Sequence, residues 1–161
     1  MPYIRNVPNK ESVPASDDQR RIVEDFGRYL SRWGMSPTTG RVWGYLLMCS
    51  ETASLDRISA DLQVSKSSAS VAARQLEQLL LARRSGERGS RRALYEATET
   101  NDHFLELVLD AYRAFLHLFE AAASVSTRPP AQKRLAEMNR FYAFWVEQLE
   151  EVVQRWRERP P

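Results

Sequence analysis

Cysteine is almost absent: Cys49 stands alone in 161 residues. One thiol cannot close an intrachain disulfide, and such a chain suits a reducing, cytoplasmic compartment. Histidine is nearly as scarce. His103 and His117 lie fourteen positions apart, a spacing that fits no zinc-ligand pattern. Both are expected to be surface or partly buried helix residues. Six glycines never cluster into a phosphate-cradling loop, and no serine or cysteine nucleophile motif occurs. No catalytic residue, metal or cofactor is therefore expected, and the chain is not expected to be an enzyme. No run of eighteen apolar residues is present, so no transmembrane helix and no membrane partner are expected. Residues Met1 to Pro8 lack the apolar centre of a signal peptide. With 161 residues, 43% of them apolar and 27% charged, the chain is expected to form one compact unit, or a small lobe plus an oligomerisation lobe.

What is present is an ordered pattern between residues 54 and 97. Leu55, Ile58 and Leu62 lie at helical spacing, one face of a short helix. Val64 marks a tight turn, and Ser65 can cap a second helix through its hydroxyl. Along that helix, read as 65–81, Ala69, Ala72 or Ala73, Leu76 and Leu79 or Leu80 face inward. Lys66, Ser70 and Arg74 recur on the outer face beside Ser67 and Ser68. Small hydroxyls at a helix start, with a cation one turn on, can enter a major groove and meet base edges and phosphates. Next come Leu81-Ala82-Arg83-Arg84 and Ala93-Leu94-Tyr95-Glu96-Ala97, two strand-like runs around Gly86, Gly89 and Ser90. This is a hairpin over 82–97 with a cationic tip, a wing. Arg84, Arg88, Arg91 and Arg92, with Ser90, are expected to meet phosphate or the minor groove.

Charge is distributed unevenly. The whole chain carries only +2. Residues 64–92 hold seven basic and two acidic groups, net +5, whereas 1–63 hold eight of each and 93–161 hold eight basic and eleven acidic groups. A basic footprint on an otherwise neutral body steers a protein to a polyanion face-first.

These residues resemble a known family. Gly34-Met35-Ser36-Pro37, Gly40-Arg41-Val42-Trp43-Gly44-Tyr45-Leu46-Leu47, Ser54-Leu55-Asp56, Val64-Ser65-Lys66, Leu76-Glu77-Gln78-Leu79 and the arginine wing are similar to the MarR-type winged-helix regulators, nearest their GbsR-like branch. The likeness runs from about residue 20 to 155. It implies a homodimeric bacterial transcriptional regulator on a pseudo-palindromic operator, often released by a small ligand. The family's turn commonly has glycine where this chain has Gln63, and its wing often has aspartate where this chain has Ser90.

The remainder is expected to be helical. Residues 1–15 form an extended arm, 16–35 an N-terminal helix of the dimer lobe, 36–99 the winged helix-turn-helix, and 100–161 a two-helix dimerisation region. The fold is thus mainly α with a small β-hairpin wing. Ser16-Asp17-Asp18-Gln19 is a capping box, followed by an apolar stripe of Ile22, Phe26, Leu30 and Trp33. Ser36-Pro37 opens the next helix. Residues 100–123 are apolar on several sides and so must be covered on several sides. After Arg128-Pro129-Pro130, the residues Leu135, Met138, Tyr142, Trp145, Leu149, Val152 and Trp156 repeat at 3-4-3-4-3-4, a heptad seam. The preferred reading is dimerisation; an ordinary amphipathic helix is the other. A two-fold dimer would set two reading helices on a site of roughly 16–22 base pairs, half-sites about one turn apart. Trp33, Trp43, Phe104 and Tyr112 are read first as packing, and second as walls of a pocket for a small aromatic or cationic effector. Two other functions remain: a constitutive architectural DNA binder without an effector, and a winged-helix protein-interaction module.

Overall fold

The structure, a computed structural model, describes residues 16–86, 92–100 and 102–159. The arm 1–15 and the wing-tip residues Arg88, Ser90 and Arg91 lie outside the described residues.

Helix α1 (Asp17–Ser31) begins at a complete capping box. Ser16 Oγ accepts from the Gln19 N–H at 3.2 Å, and Gln19 Oε1 accepts from the Ser16 N–H at 2.8 Å. Helix α2 (Pro37–Met48) starts at the Ser36 cap with proline in its first turn. The two helices pack on each other, and α2 supplies glycine where they cross. A Cβ on Gly40 would sit 2.5 Å from the Phe26 carbonyl oxygen, and one on Gly44 2.8 Å from the Phe26 ring.

This close approach changes which face of α1 is buried. The buried residues are Val23, Gly27 and Leu30, not the whole stripe Ile22, Phe26, Leu30 and Trp33. Helices in backbone contact take the smaller face inward. Ile22 and Trp33 are left exposed, and Phe26 rests against Trp43 at 5.5 Å, edge to face.

The helix-turn-helix unit follows. Strand β1 (Ala53–Ser54) leads into α3 (Leu55–Leu62), then α4 (Lys66–Gln78), β2 (Ala82–Gly86) and β3 (Ala93–Ala97). The wing hairpin pairs Ala82 with Ala97 through Gly86 with Ala93. β1 adds a third antiparallel strand in the order β1-β3-β2, with Ala53 opposite Tyr95. Two residues are too few to show strand alternation, so sequence pattern could not disclose β1. The core joins Val42 and Leu46 of α2, Ile58 and Leu62 of α3, Ala69, Ala72, Ala73 and Leu76 of α4, and Tyr95 of β3.

Helix α4 ends at Gln78, short of the expected residue 81. Leu80 turns left-handed at φ 57, the Leu81 N–H reaches the Leu76 carbonyl at 2.9 Å, and the Leu80 N–H reaches that of Glu77 at 3.0 Å. Helix α3 ends the same way. Gln63 has φ 52, the Val64 N–H bonds the Ser59 carbonyl at 3.1 Å, and the Gln63 N–H bonds that of Ala60 at 3.3 Å. Both are Schellman closures, a place where glycine is usual.

Helices α5 (Asp102–Val125) and α6 (Pro129–Arg157) form an antiparallel hairpin. They pack chiefly on each other. The hairpin meets the helix-turn-helix unit where Phe104 lies against its core.

Candidate nucleic-acid interface

Caps and turn contacts fix the start of α4. Ser65 Oγ accepts from the Ser68 N–H at 3.0 Å and lies 2.9 Å and 2.8 Å from the Ser67 and Ser68 hydroxyls. The preceding turn is braced from two sides. The Ser59 hydroxyl donates to the Val64 carbonyl at 2.6 Å, and Arg41 Nη2 donates to the Leu62 carbonyl at 2.7 Å. Arg41 also pairs with Glu24 of α1 at 2.7 Å. One guanidinium thereby joins α1, α2 and the turn. The fully buried Thr39 hydroxyl donates to Gln75 Oε1 at 2.5 Å, which fixes α4 against α2.

With the alanine face sealed, α4 presents a stripe to solvent. Lys66, Ser67, Ser68 and Arg74 are exposed, and Ser70 is half-buried. Arg74 Nε donates to the Ser70 carbonyl at 3.3 Å. Lys66 Nζ lies 2.7 Å from Asp56 Oδ1 on α3. That hydrogen bond holds the Asp56 carboxyl below its ordinary range. On the wing, Arg84 and Arg92 are exposed, while Arg83 pairs with Glu96 at 2.7 Å.

Sequence reasoning passed over Val71. It lies on the open side of α4 and is 49% exposed, although an apolar residue at helical spacing reads as core. An apolar contact of this kind suits a thymine methyl. Only its phase against Ala69 and Ala73 could have revealed it.

The heptad seam of α6 divides between two neighbours. Leu135, Tyr142 and Leu149 turn toward α5 and are half-buried. Tyr142 is a ring hub, 5.4 Å from Tyr112, 5.4 Å from Phe115 and 5.1 Å from Phe119. Met138, Trp145, Val152 and Trp156 remain exposed, as do Phe141, Phe144, Phe115 and Leu118. Helical phase places Met138, Phe141, Trp145 and Val152 on the same side of the hairpin as Phe115. The opposite side is polar: a groove of about 420 Å³ lined by Glu106, Asp110, Arg113, Glu150, Gln154 and Arg157 among others. Arg113 pairs there with Glu150 at 2.6 Å, and Arg157 with Glu106. The hairpin is thus greasy on one face and ionic on the other.

The four aromatics considered for an effector do not converge within one chain. Trp33 is exposed at the end of α1, Trp43 contacts Phe26, Phe104 joins the core, and Tyr112 belongs to the hairpin cluster. A second groove, of about 370 Å³, runs from Leu46 and Cys49 to Glu96 and Glu99 and contains none of them. Beside it, burial pushes the Cys49 thiol up in pKa, which keeps it protonated and a poor nucleophile. Burial likewise raises Tyr45, whose hydroxyl donates to Asp61 Oδ2 at 2.6 Å. His103 and His117 each face a glutamate of α5, at 3.7 Å and 3.4 Å. Among the described residues no group of side chains could hold a metal ion, and no helix is long and apolar enough to cross a membrane.

No curated protein matches the chain. Among solved structures, one described as a transcriptional regulator is similar at TM-score 0.79 and 23% identity, over 88% of this chain and 99% of its own. That likeness shows the winged-helix fold with its helical hairpin. Two others match more loosely. MepR of S. aureus in DNA-binding conformation has TM-score 0.40 and 17% identity, over 80% of this chain and 93% of its own. The regulator Tm0710 of Thermotoga maritima has TM-score 0.41 and 16% identity, over 89% and 94%. Residues 102–159, the α5–α6 hairpin, match the sequence profile of the MmpR5-like MarR family transcriptional regulators.

Proposed function

We propose that the chain is a MarR-family homodimeric transcriptional regulator that binds a pseudo-palindromic duplex through α4 and the wing. One observation carries the proposal: the division of α4 into a sealed alanine face and an open stripe of Lys66, Ser67, Ser68, Val71 and Arg74. A helix so divided is fixed rigidly from behind and offers small hydroxyls and cations in front, which suits a major groove. Arg84 and Arg92 extend the cationic surface onto the wing. Arg88, Ser90 and Arg91 belong to the same proposed contact.

The likeness over residues 102–159 supports the family, and favours its MmpR5-like branch over the GbsR-like one. The exposed apolar face of the hairpin supports a second copy, because contiguous patches of this kind are rare on monomers. A dimer seated on a duplex blocks access to it, so repression is the simplest outcome. Release by a small aromatic or cationic ligand would need walls from both copies, since Trp33, Trp43, Phe104 and Tyr112 share neither groove described above.

Selection from random duplexes, followed by binding at two salt concentrations, tests the proposal. The enriched sequences should contain an inverted repeat with half-site centres about one helical turn apart. Affinity should fall about a thousandfold or more from about 50 to 200 mM salt if six to ten phosphates are engaged. Sequence-independent coverage would select the architectural binder instead. Absence of any duplex binding at the lower salt would leave only the protein-interaction module.

A further inference from the structure

We infer that Asp56 is a positioning residue for the proposed duplex contact, governing how much of the Lys66 charge is available to phosphate. The inference rests on the DNA-binding function proposed above. It starts from two helix caps. Ser54 Oγ accepts from the Arg57 N–H at 3.2 Å, which sets Asp56 in the first turn of α3. Free backbone N–H groups there favour a carboxylate. Ser65 caps α4 and sets Lys66 at its first residue, where the same kind of N–H groups oppose an ammonium.

The two charges meet across the helix-turn-helix. Lys66 Nζ and Asp56 Oδ1 are 2.7 Å apart, with both side chains more than half open to water. The lowered Asp56 carboxyl has the Lys66 hydrogen bond as its main cause, and the field of Arg92, at the tip end of β3, acts in the same direction. One carboxylate therefore answers to a cation on the reading helix and to a cation on the wing. Arg74, about two turns further along α4, leans on the Ser70 carbonyl instead.

An exposed pair of this kind is readily exchanged. A phosphate that takes Lys66 still has the Asp56 carboxylate beside it. That charge lowers by one the net positive charge facing the duplex, and with it the number of ions released on binding. Phosphate contacts carry no sequence information, so Asp56 restrains the sequence-independent part of binding. The hydroxyls at the start of α4 keep their share of recognition.

The test uses the full chain and its Asp56→Asn, Lys66→Ala and doubly substituted forms, each with a random and a selected duplex. Asp56→Asn should bind the random duplex more tightly, with a salt slope steeper by about 0.9. Its advantage should then be about 3.5-fold larger at 50 than at 200 mM salt. The advantage should vanish when Lys66 is alanine. Without DNA, the Asp56 carboxyl followed by NMR should titrate at a higher pH in Lys66→Ala than in the wild type. An equal gain in the Lys66→Ala background, a parallel salt slope, or an unmoved Asp56 titration overturns the role of Asp56 while leaving duplex binding intact. Failure of all four proteins to bind any duplex overturns the proposed function itself.

Discussion

Phe141→Ala tests the apolar face of the α5–α6 hairpin as the site of a second copy. The ring is 49% exposed on the apolar face of the hairpin, and its inner half rests against Tyr142 at 5.4 Å and Trp145 at 6.2 Å. Complete burial of such a side chain contributes about 1.5–3 kcal/mol. The half left open would then contribute about 0.7–1.5 kcal/mol when a second copy covers it. A two-fold axis presents the substitution twice. The expected loss is about 1.5–3 kcal/mol, or a dimer about 10- to 150-fold weaker. Sedimentation equilibrium across the micromolar range measures it. Affinity for the selected duplex should fall in parallel once protein is below the new dissociation constant. Gln154→Ala, on the polar side, should leave both quantities unchanged. A wild-type chain that sediments as a monomer, or an undiminished dimer in Phe141→Ala, would refute the assignment of the second copy to this face.

Three further outcomes follow from the packing. Gly40→Ala should destabilise by about 3 kcal/mol, the upper end for overpacking, because the atom met at 2.5 Å is the Phe26 carbonyl oxygen and cannot rotate away; chemical denaturation reads it. Gln63→Gly should stabilise by about 0.5–1 kcal/mol, since its side chain is exposed and relief of about 1–2 kcal/mol of left-handed strain at φ 52 exceeds the added chain entropy of about 0.5–1 kcal/mol; a raised denaturation midpoint is the expected sign. The Arg157 hydrogen bond holds Glu106 below its ordinary 4.5. A depressed carboxyl contributes stability above its unfolded pKa and loses it as pH falls through the folded one. Helical circular dichroism should therefore fade more gradually toward acid in Arg157→Gln, from a lower stability at neutral pH.

The parts legible in the sequence are those fixed locally. Ser16 and Gln19, Ser36 and Pro37, and Ser65 each define a helix start through neighbours within one turn, and the structure has all three. The two strand-like runs on either side of the glycines form the wing strands, with Ala82 pairing with Ala97. Features set by distant partners were hidden. The buried face of α1 depends on Gly40 and Gly44 of another helix. The third strand exists only because Ala53 finds Tyr95, 42 positions away. The stop of α4 at Gln78 depends on Leu80 accepting a left-handed turn that its side chain disfavours. At the interface, the cations were evident from their types, but the Lys66–Asp56 pair needed the folded helix-turn-helix to appear.

The heptad on α6 shows why a single apolar pattern can mislead about its partner. Seven residues at a/d spacing suggest one seam with one occupant. In the folded chain Leu135, Tyr142 and Leu149 are taken by α5, whereas Met138, Trp145, Val152 and Trp156 face outward. An apolar arc wide enough for two neighbours gives a hairpin that is held together within its own chain and still has surface for another. The polar side, with its Arg113–Glu150 and Arg157–Glu106 pairs, leaves only one side for that contact. The hairpin meets the core of the helix-turn-helix unit at Phe104, so the apolar face and α4 are joined through the start of α5.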